Sequence, residues 1–332
     1  ANAYGHGAVE LAKCYEKQGA DYFAVSNVEE ALQLRQNGIV TPILILGYTD
    51  TNCASLLAAN NISQCVYSLE YGKKLAEDAQ QQKVDVKVHI KLDTGMGRIG
   101  FPCKAENRLA VDEIVDVCET PGLYPEGIFT HFASSDEGKD GEAYTLKQFH
   151  CFMKTVELLK NRGVDFQIRH CANSAAIFDY PQMQLDMVRA GIVLYGLQPS
   201  KQLRNARPLK QVMTLHSIVD HIKEIDTGEC ISYGREYRAE GKRRIATIPI
   251  GYADGLWRSN VNGGIVVEIN GAYAPIVGRI CMDQCMIDVT GLNNVVVGAA
   301  VTVYGCDEYT SIDRIAKRNN TINYEITCAL GE

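Results

Sequence analysis

From residue 8 to residue 196 the sequence alternates between two hydrophobic periods, and this alternation restricts the possible folds more than any other feature. Short aliphatic runs occur as YFAVS (22–26), ILILG (43–47), CVYS (65–68), VKVHIKLDT (86–94), GIFTHF (127–132), FQIRHCAN (166–173) and MVRAGIVLYG (187–196). Helical apolar spacing fills the gaps: AVELAKCYEKQ (8–18), VEEALQLRQNG (28–38), ASLLAANN (54–61), LEYGKKLAEDAQQQ (69–82), AENRLAVDEIVDVCE (105–119), TLKQFHCFMKTVELLKNRG (145–163) and SAAIF (174–178). Strands separated by helices pair in parallel, since a parallel partner needs a crossover rather than a tight turn. Strands of near-continuous Val, Ile and Leu are buried on both faces, as in a barrel. Seven of them predict an α/β fold, a (β/α)8 TIM-type barrel whose first strand is missing from this chain. The chain opens on Ala1-Asn2-Ala3-Tyr4, with neither Met nor a signal-peptide pattern, and is expected to begin behind that first strand.

The period changes after Gln198-Pro199-Ser200. Beyond Pro208, VMTLHSIVDHI (212–222), RRIATIPI (243–250), GIVVEI (264–269), YAPIVGRICM (273–282), CMIDVTG (285–291) and AVTVYG (300–305) succeed one another with few helices between them. Asn270-Gly271 stands between two such runs and predicts a type I′ hairpin, whose two central residues need positive φ. The expected organisation is a barrel domain at 1–205 and a mainly β C-terminal domain at 206–332. Short helical patterns, SIDRIAKRN (311–319) and INYEITCAL (322–330), lie near the end.

Composition excludes several function classes. Lys and Arg number 33 against 40 Asp and Glu, a net charge of −7, so no basic excess exists to neutralise nucleic-acid phosphates. No apolar run reaches bilayer-spanning length, so no membrane segment is expected in this fragment. The twelve cysteines are scattered without a CxxC pair, which points to free thiols in a reducing cytoplasm rather than to zinc or disulfides. No metal site is expected.

Chemistry in a barrel gathers where strands run out into their βα loops. The strand ends here carry ANAYGHG (1–7), KLDTGMGRIG (91–100), THFASSDE (130–137), HCANSA (170–175) and VRAGIVLYG (188–196). Asn173-Ser174 and Arg189-Ala190-Gly191-Ile192 fall on the two late strands after which barrels commonly bind phosphate, and a hydroxyl with free N–H groups suits an anion. Ser174 taken alone could equally be a helix N-cap. Lys91, Asp93 and Arg98 crowd one strand end, either as a surface ion-pair cluster or as an anion clamp by Arg98 supported by its neighbours. In the β region, Tyr233 precedes a glycine and GRICMDQCMID (278–288) carries Arg279, Met282 and Asp283; alone, each reads as structural.

Together these motifs resemble the alanine racemase family, pyridoxal-phosphate enzymes with a barrel and a C-terminal β-domain. KLDTGMGRIG, THFASSDE, HCANSAA, DMVRAGIVLYG, ISYGREY, IPIGYADGLWR, GRICMDQ and TINYEITC match in order over essentially the whole chain. The resemblance implies a pyridoxal 5′-phosphate cofactor held as a Schiff base by a Lys expected immediately before Ala1. That Lys would be one base and Tyr233 the second, reaching the cofactor of the other subunit of a homodimer. Two bases on opposite faces suit inversion at Cα, here between L-alanine and D-alanine, the latter supplied to peptidoglycan. His131 and Arg189 would tie Tyr233 and the pyridine nitrogen into one network. Most pyridoxal enzymes place a carboxylate at that nitrogen; Arg cannot accept its proton, so the ring should stay unprotonated.

The resemblance further implies that Tyr4, Ser174, Gly191, Ile192 and Tyr324 cradle the phosphate, with Asn173 beside them. Arg98 would meet the phenolic oxygen or the substrate carboxylate, and Lys91 matches a family position that is carbamylated and orients Arg98. The Met282 backbone would receive the substrate carboxylate next to Asp283, and Asp136, Tyr252 and Arg279 would line an access corridor. Three other readings compete: a serine racemase of the glycopeptide-resistance type, against which Tyr324 speaks; a basic amino-acid decarboxylase, against which Arg189 speaks; and a non-catalytic pyridoxal-binding protein, against which the β-domain speaks.

Overall fold

The computed structural model describes residues 1–103, 108–260 and 264–330. The chain separates into two compact units, one of Ala8–Leu194 with Gln198–Leu209, the other of Ala1–Gly7, Tyr195–Leu197 and Lys210–Glu332.

In the first unit, helix α2 (Ala8–Lys17) leads to strands β1 (Phe23–Val25), β2 (Ile43–Ile45), β3 (Ile62–Val66), β4 (Val86–Asp93), β6 (Leu123–Phe129) and β7 (Ile168–His170), all parallel, in that spatial order. A two-residue strand, β5 (Phe101–Pro102), pairs with the end of β4. The connections are α3 (Val28–Gln36), α4 (Ala54–Ala59), α5 (Leu69–Gln81), α6 (Arg108–Cys118) and α7 (Gly138–Asn161), with α8 (Ser174–Asp179) after β7. Spatial order never reverses against chain order, unlike a doubly wound sheet. The sheet is therefore wound in one sense and curls, as the barrel-type sequence pattern predicts. Residues 105–107 of the expected helix 105–119 lie outside the described residues.

Strand β4 shows how the two faces divide. Val86, Val88, Ile90 and Leu92 join the hydrophobic core with Leu75, Ile114 and Phe152 of the helices. Alternate residues face opposite sides of a strand, so Lys87, His89, Lys91 and Asp93 face the inside of the curl. There the buried polar residues Ser63, His89, Lys91, Glu126, Thr130 and His170 collect.

Several expectations need correction. MVRAGIVLYG does not form an eighth ladder strand: among the described residues, its backbone meets the end of β7 through Arg189 N–H to the Ala172 carbonyl, just after Asp186 N–H to the Arg169 carbonyl. Ile192–Tyr195 turns into a 3-10 helix. The helix expected from Thr145 begins at Gly138, where glycines conceal it. A Cβ on Gly141 would stand 1.9 Å from the Ser134 carbonyl oxygen, so the first turn requires a residue with poor helix propensity. CVYS is the tail of a strand that starts at Ile62, and GIFTHF the tail of one that starts at Leu123.

The second unit opens on α1 (Asn2–Gly5), one turn whose Asn2, Ala3, Tyr4 and Gly5 all have positive φ. Its antiparallel sheet runs β8 (Leu215–Ile218), β16 (Ala300–Tyr304), β13 (Val266–Ile269), β14 (Ala272–Val277), β15 (Cys285–Asp288), β12 (Arg243–Ile248), β9 (His221–Ile225). The run VMTLHSIVDHI is thus two strands, β8 and β9, on opposite edges. Val219 N–H bonds to Ala299 and Asp220 N–H to Thr247, so the chain changes neighbours within two residues. Two residues reach about 11 Å, whereas a flat sheet of seven strands is about 29 Å wide; the sheet must roll up to bring its edges together. Asn270 (φ 52°) and Gly271 (φ 76°) form the predicted hairpin turn. A small ribbon, β10 (Cys230–Ile231) with β11 (Tyr237–Arg238), carries Tyr233 in its loop, and α9 (Ile312–Arg318) and α10 (Asn323–Cys328) complete the unit. No described helix is long and apolar enough to cross a membrane.

Candidate active site

In the first unit the functional groups converge on Arg189. One Nη atom donates to the Thr130 carbonyl at 2.8 Å and reaches His131 Nδ1 at 3.2 Å; the other lies 2.8 Å from His170 Nδ1. The guanidinium also sits over the Phe129 ring, 5.3 Å from its centre. Burial lowers its pKa to about 10, offset in part by the Cys171 and Cys65 thiols, so it stays a cation at neutral pH. Its Nε–H has no partner among the described residues, which leaves a donor available to a ligand.

Because guanidinium only donates, His131 and His170 must each present a bare Nδ1 to it. Both imidazoles are neutral. Burial, then the charges of Arg189 and Lys91, hold His131 down at about 2 and His170 well below its usual value. Gln148 of α7 fixes the loop carrying His131, accepting from Ala133 N–H at 2.9 Å and donating to the His131 carbonyl at 3.2 Å.

Lys91, at the end of β4, is only 3% exposed. Its Nζ lies 4.5 Å from the centre of the Phe129 ring, and no described acceptor meets it. Burial, with Arg189 and Arg98 nearby, lowers its pKa to about 7, so a large share is uncharged amine near neutrality. The ion-pair cluster considered for Lys91, Asp93 and Arg98 does not form. Asp93 instead accepts from the N–H groups of Gly95 and Gly97 at 3.0 Å, which shapes the loop ahead of Arg98. Arg98 is exposed and makes no ion pair among the described residues.

Asn173 and Ser174 divide the roles that the sequence left open. Asn173 is the N-cap of α8, accepting from Ala176 N–H at 3.0 Å. Ser174 is not the cap. Its Oγ accepts from Gly191 N–H at 2.9 Å, joining the start of α8 to the 189–192 segment and leaving its own hydrogen to donate. Ile192 beside them is fully buried, while Asp136 is half-buried ahead of α7.

In the second unit, Tyr4 packs against Tyr195 and Tyr324 with ring centres 5.3 and 5.6 Å apart. His6 stacks on Tyr195 at 4.4 Å. The left-handed α1 turn aims Tyr4, and Gly5 is obligatory there: its φ is +75° and a Cβ would stand 2.1 Å from the Thr327 carbonyl oxygen. Tyr233 is 66% exposed. Its loop is strained on both sides, with positive φ at Ser232 (64°), Gly234 (74°) and Arg235 (55°). Ser232, at ψ −173°, occupies a region that essentially only glycine visits, and such outliers cluster at functional sites. Arg279 is ion-paired with Glu236. The Met282 carbonyl accepts from Ala253 N–H at 3.0 Å, whereas the N–H of Met282 and of Asp283 have no described partner. Tyr252 starts a 3-10 turn.

Sequence reasoning missed Phe129, Thr130, His170, His89 and Glu126. The signal was present in VKVHIKLD, whose alternate positions 87, 89, 91 and 93 are polar in a strand expected to be buried on both faces.

Comparison with known proteins gives a consistent result. Residues 1–199 match the family model described as alanine racemase, N-terminal domain, and residues 212–332 match alanine racemase, C-terminal domain. A Clostridium tetani protein named alanine racemase is 43% identical over all of this chain and 85% of its own length. The alanine racemase structure from Clostridium difficile 630 superposes with a TM-score of 0.94 at 44% identity, covering 99% of this chain and 85% of that one. The Bacillus anthracis alanine racemase structure with bound L-Ala-P gives 0.92 at 38%, covering 99% and 84%.

Proposed function

The chain belongs to the alanine racemase family, and from that membership we propose that it interconverts L-alanine and D-alanine with pyridoxal 5′-phosphate, supplying D-alanine to peptidoglycan from the cytoplasm. The observation that carries this reading is Arg189: a cation held by two neutral imidazoles and a carbonyl, with an unspent N–H. A donor-only group there suits an unprotonated pyridine nitrogen, whereas a decarboxylase would need a carboxylate.

The donor set fits the cofactor. Ser174, Gly191 and Ile192, with the hydroxyls of Tyr4 and Tyr324, would hold the phosphate, and Asn173 would anchor the α8 end of that set. A Lys directly before Ala1 would bind the cofactor covalently. When bound, pyridoxal phosphate withdraws electrons and acidifies the substrate Cα–H. Tyr233, supplied by the partner subunit of a homodimer, would move the proton on one face, and the Lys before Ala1 on the other. Arg98 and the free N–H of Met282, with Asp283 beside it, would take the substrate carboxylate. Asp136, Tyr252 and Arg279 would line the access corridor and favour a small side chain. In this reading residues 1–205 carry most of the cofactor contacts together with Arg98 and Asp136, and residues 206–332 supply Tyr233, Tyr324, Met282, Asp283, Tyr252 and Arg279. The uncharged amine of Lys91 would add CO2 and release a proton, giving a carbamate that orients Arg98.

The test is turnover of L-alanine against L-serine by the cofactor-loaded protein, with chiral analysis of the product. The expected result is D-alanine at a kcat/KM clearly above that for serine. Preferred turnover of serine, or no racemisation, overturns the reading.

A further inference from the structure

Below Arg189, inside the curled sheet, lies a row of buried titratable groups to which the proposed reaction assigns no role. His170 Nε2 is 2.9 Å from His89 Nδ1, and His89 Nε2 is 3.2 Å from a carboxylate oxygen of Glu126. Both imidazoles are fully buried and Glu126 nearly so. At the far end Glu126 also accepts from the Tyr22 hydroxyl at 2.7 Å and pairs with Lys87 at 3.3 Å.

The proton positions follow from the two ends. Arg189 can only donate and an ionised carboxylate can only accept. Burial would raise the Glu126 pKa, but hydrogen bonds from His89 and Tyr22 and the Lys87 charge outweigh it and hold the carboxyl at about 2. Burial also lowers both histidines. Each imidazole then has one hydrogen, and only one arrangement satisfies every contact: Arg189 N–H to His170 Nδ1, His170 Nε2–H to His89 Nδ1, His89 Nε2–H to Glu126.

The local backbone is built for this row. Between β4 and β6 the register runs Val88↔Pro125 and then His89↔Gly127. Glu126 is therefore the extra residue of a β-bulge, a device that re-aims a side chain. A Cβ on Gly127 would stand 2.4 Å from His89 Nδ1, so only glycine admits the ring. His170 in turn stacks on Phe129, with centres 4.7 Å apart and planes within 5°.

We propose that Glu126 and His89 are positioning residues for Arg189, joined to it through His170 in one directed hydrogen-bond chain that fixes the orientation and polarity of the guanidinium from the middle of β4 and β6. The inference rests on the proposed role of Arg189 at the cofactor ring.

The experiment uses 15N-histidine-labelled protein, first without cofactor and then loaded. In the wild type, His89 and His170 should both appear as neutral Nε2–H tautomers. In Glu126→Leu both resonances should move. In the loaded, folded fraction of that variant, kcat for alanine should fall about tenfold, as when outer partners of a functional group are lost, with KM little changed because no substrate contact is touched. Glu126→Gln keeps an acceptor and should restore most of both signals, which a purely space-filling role would not require. An Nδ1–H tautomer at His170 in the wild type overturns the proposal whether or not any variant folds. So does a Glu126→Leu protein in which His170 and kcat are unchanged. If the tautomers are as stated but alanine is not racemised, the chain stands and the reading of Arg189 falls.

Discussion

Lys91 is the residue at which burial and chemistry are most tightly coupled. An amine lowered to about 7 gains its uncharged form as pH rises through that value, and only that form adds CO2. A 13C carbamate signal from labelled bicarbonate is therefore expected to grow between about pH 6 and about pH 8 and to be absent in Lys91→Met. A signal independent of pH, or one that persists in the variant, would refute the assignment. Tyr233, in contrast, is exposed. If Tyr233 is the second base, as proposed, replacing it with Phe removes one proton carrier and should lower turnover by about 10²- to 10⁴-fold, measurable as racemisation rate. The sequence singled out Tyr233, Arg189 and Lys91 as candidates through their motifs. It did not indicate that Ser232 is strained, because strain depends on φ and ψ, nor that Asp93 shapes its own loop rather than pairing with a cation.

Among the elements, local propensity predicted whatever was locally determined. The Asn270-Gly271 hairpin and the cores of α2, α3 and α5 form as the residues suggest. The start of α7 depends on Gly141 fitting against the Ser134 carbonyl in the loop just ahead of it, and the segment at 187–191 meets the end of β7 through Arg189 N–H to the Ala172 carbonyl; neither constraint leaves a periodic trace. Glycine positions separate the two kinds of constraint. At Gly271 nothing lies within 4 Å of an added Cβ, so Gly271→Ala should cost only the left-handed backbone term, about 1–2 kcal/mol, read by thermal or denaturant unfolding. At Gly5 an added Cβ meets the Thr327 carbonyl oxygen, so Gly5→Ala should displace Tyr4 and weaken pyridoxal-phosphate binding by at least about tenfold, a loss of about 1.4 kcal/mol. Equal cofactor affinity in wild type and Gly5→Ala would remove Tyr4 from the phosphate cradle.

For the whole molecule, the period change near residue 200 revealed a barrel-type unit and a β unit. Hydrophobic periodicity could not show that residues 1–7 belong by contact with the C-terminal unit, because seven residues carry no period. It was equally silent on the rolling of that sheet, which depends on the two-residue passage at Val219-Asp220. The exposed Tyr233 is the group expected to act in a second copy of the chain. Mixing Tyr233→Phe with Arg189→Ala, each inactive alone, should yield heterodimers with one intact site. Random exchange then restores about a quarter of wild-type activity; no recovery after verified exchange would place both residues in sites of one chain.

In the proposed reaction, two groups on opposite faces exchange the α-proton of alanine with solvent. The most direct test follows L-alanine in deuterium oxide with the cofactor-loaded wild-type protein, by mass spectrometry and chiral separation. The D-alanine formed should carry deuterium at Cα, and Tyr233→Phe should lose D-alanine formation. D-alanine that retains the original hydrogen, or undiminished deuterated product in Tyr233→Phe, would contradict it.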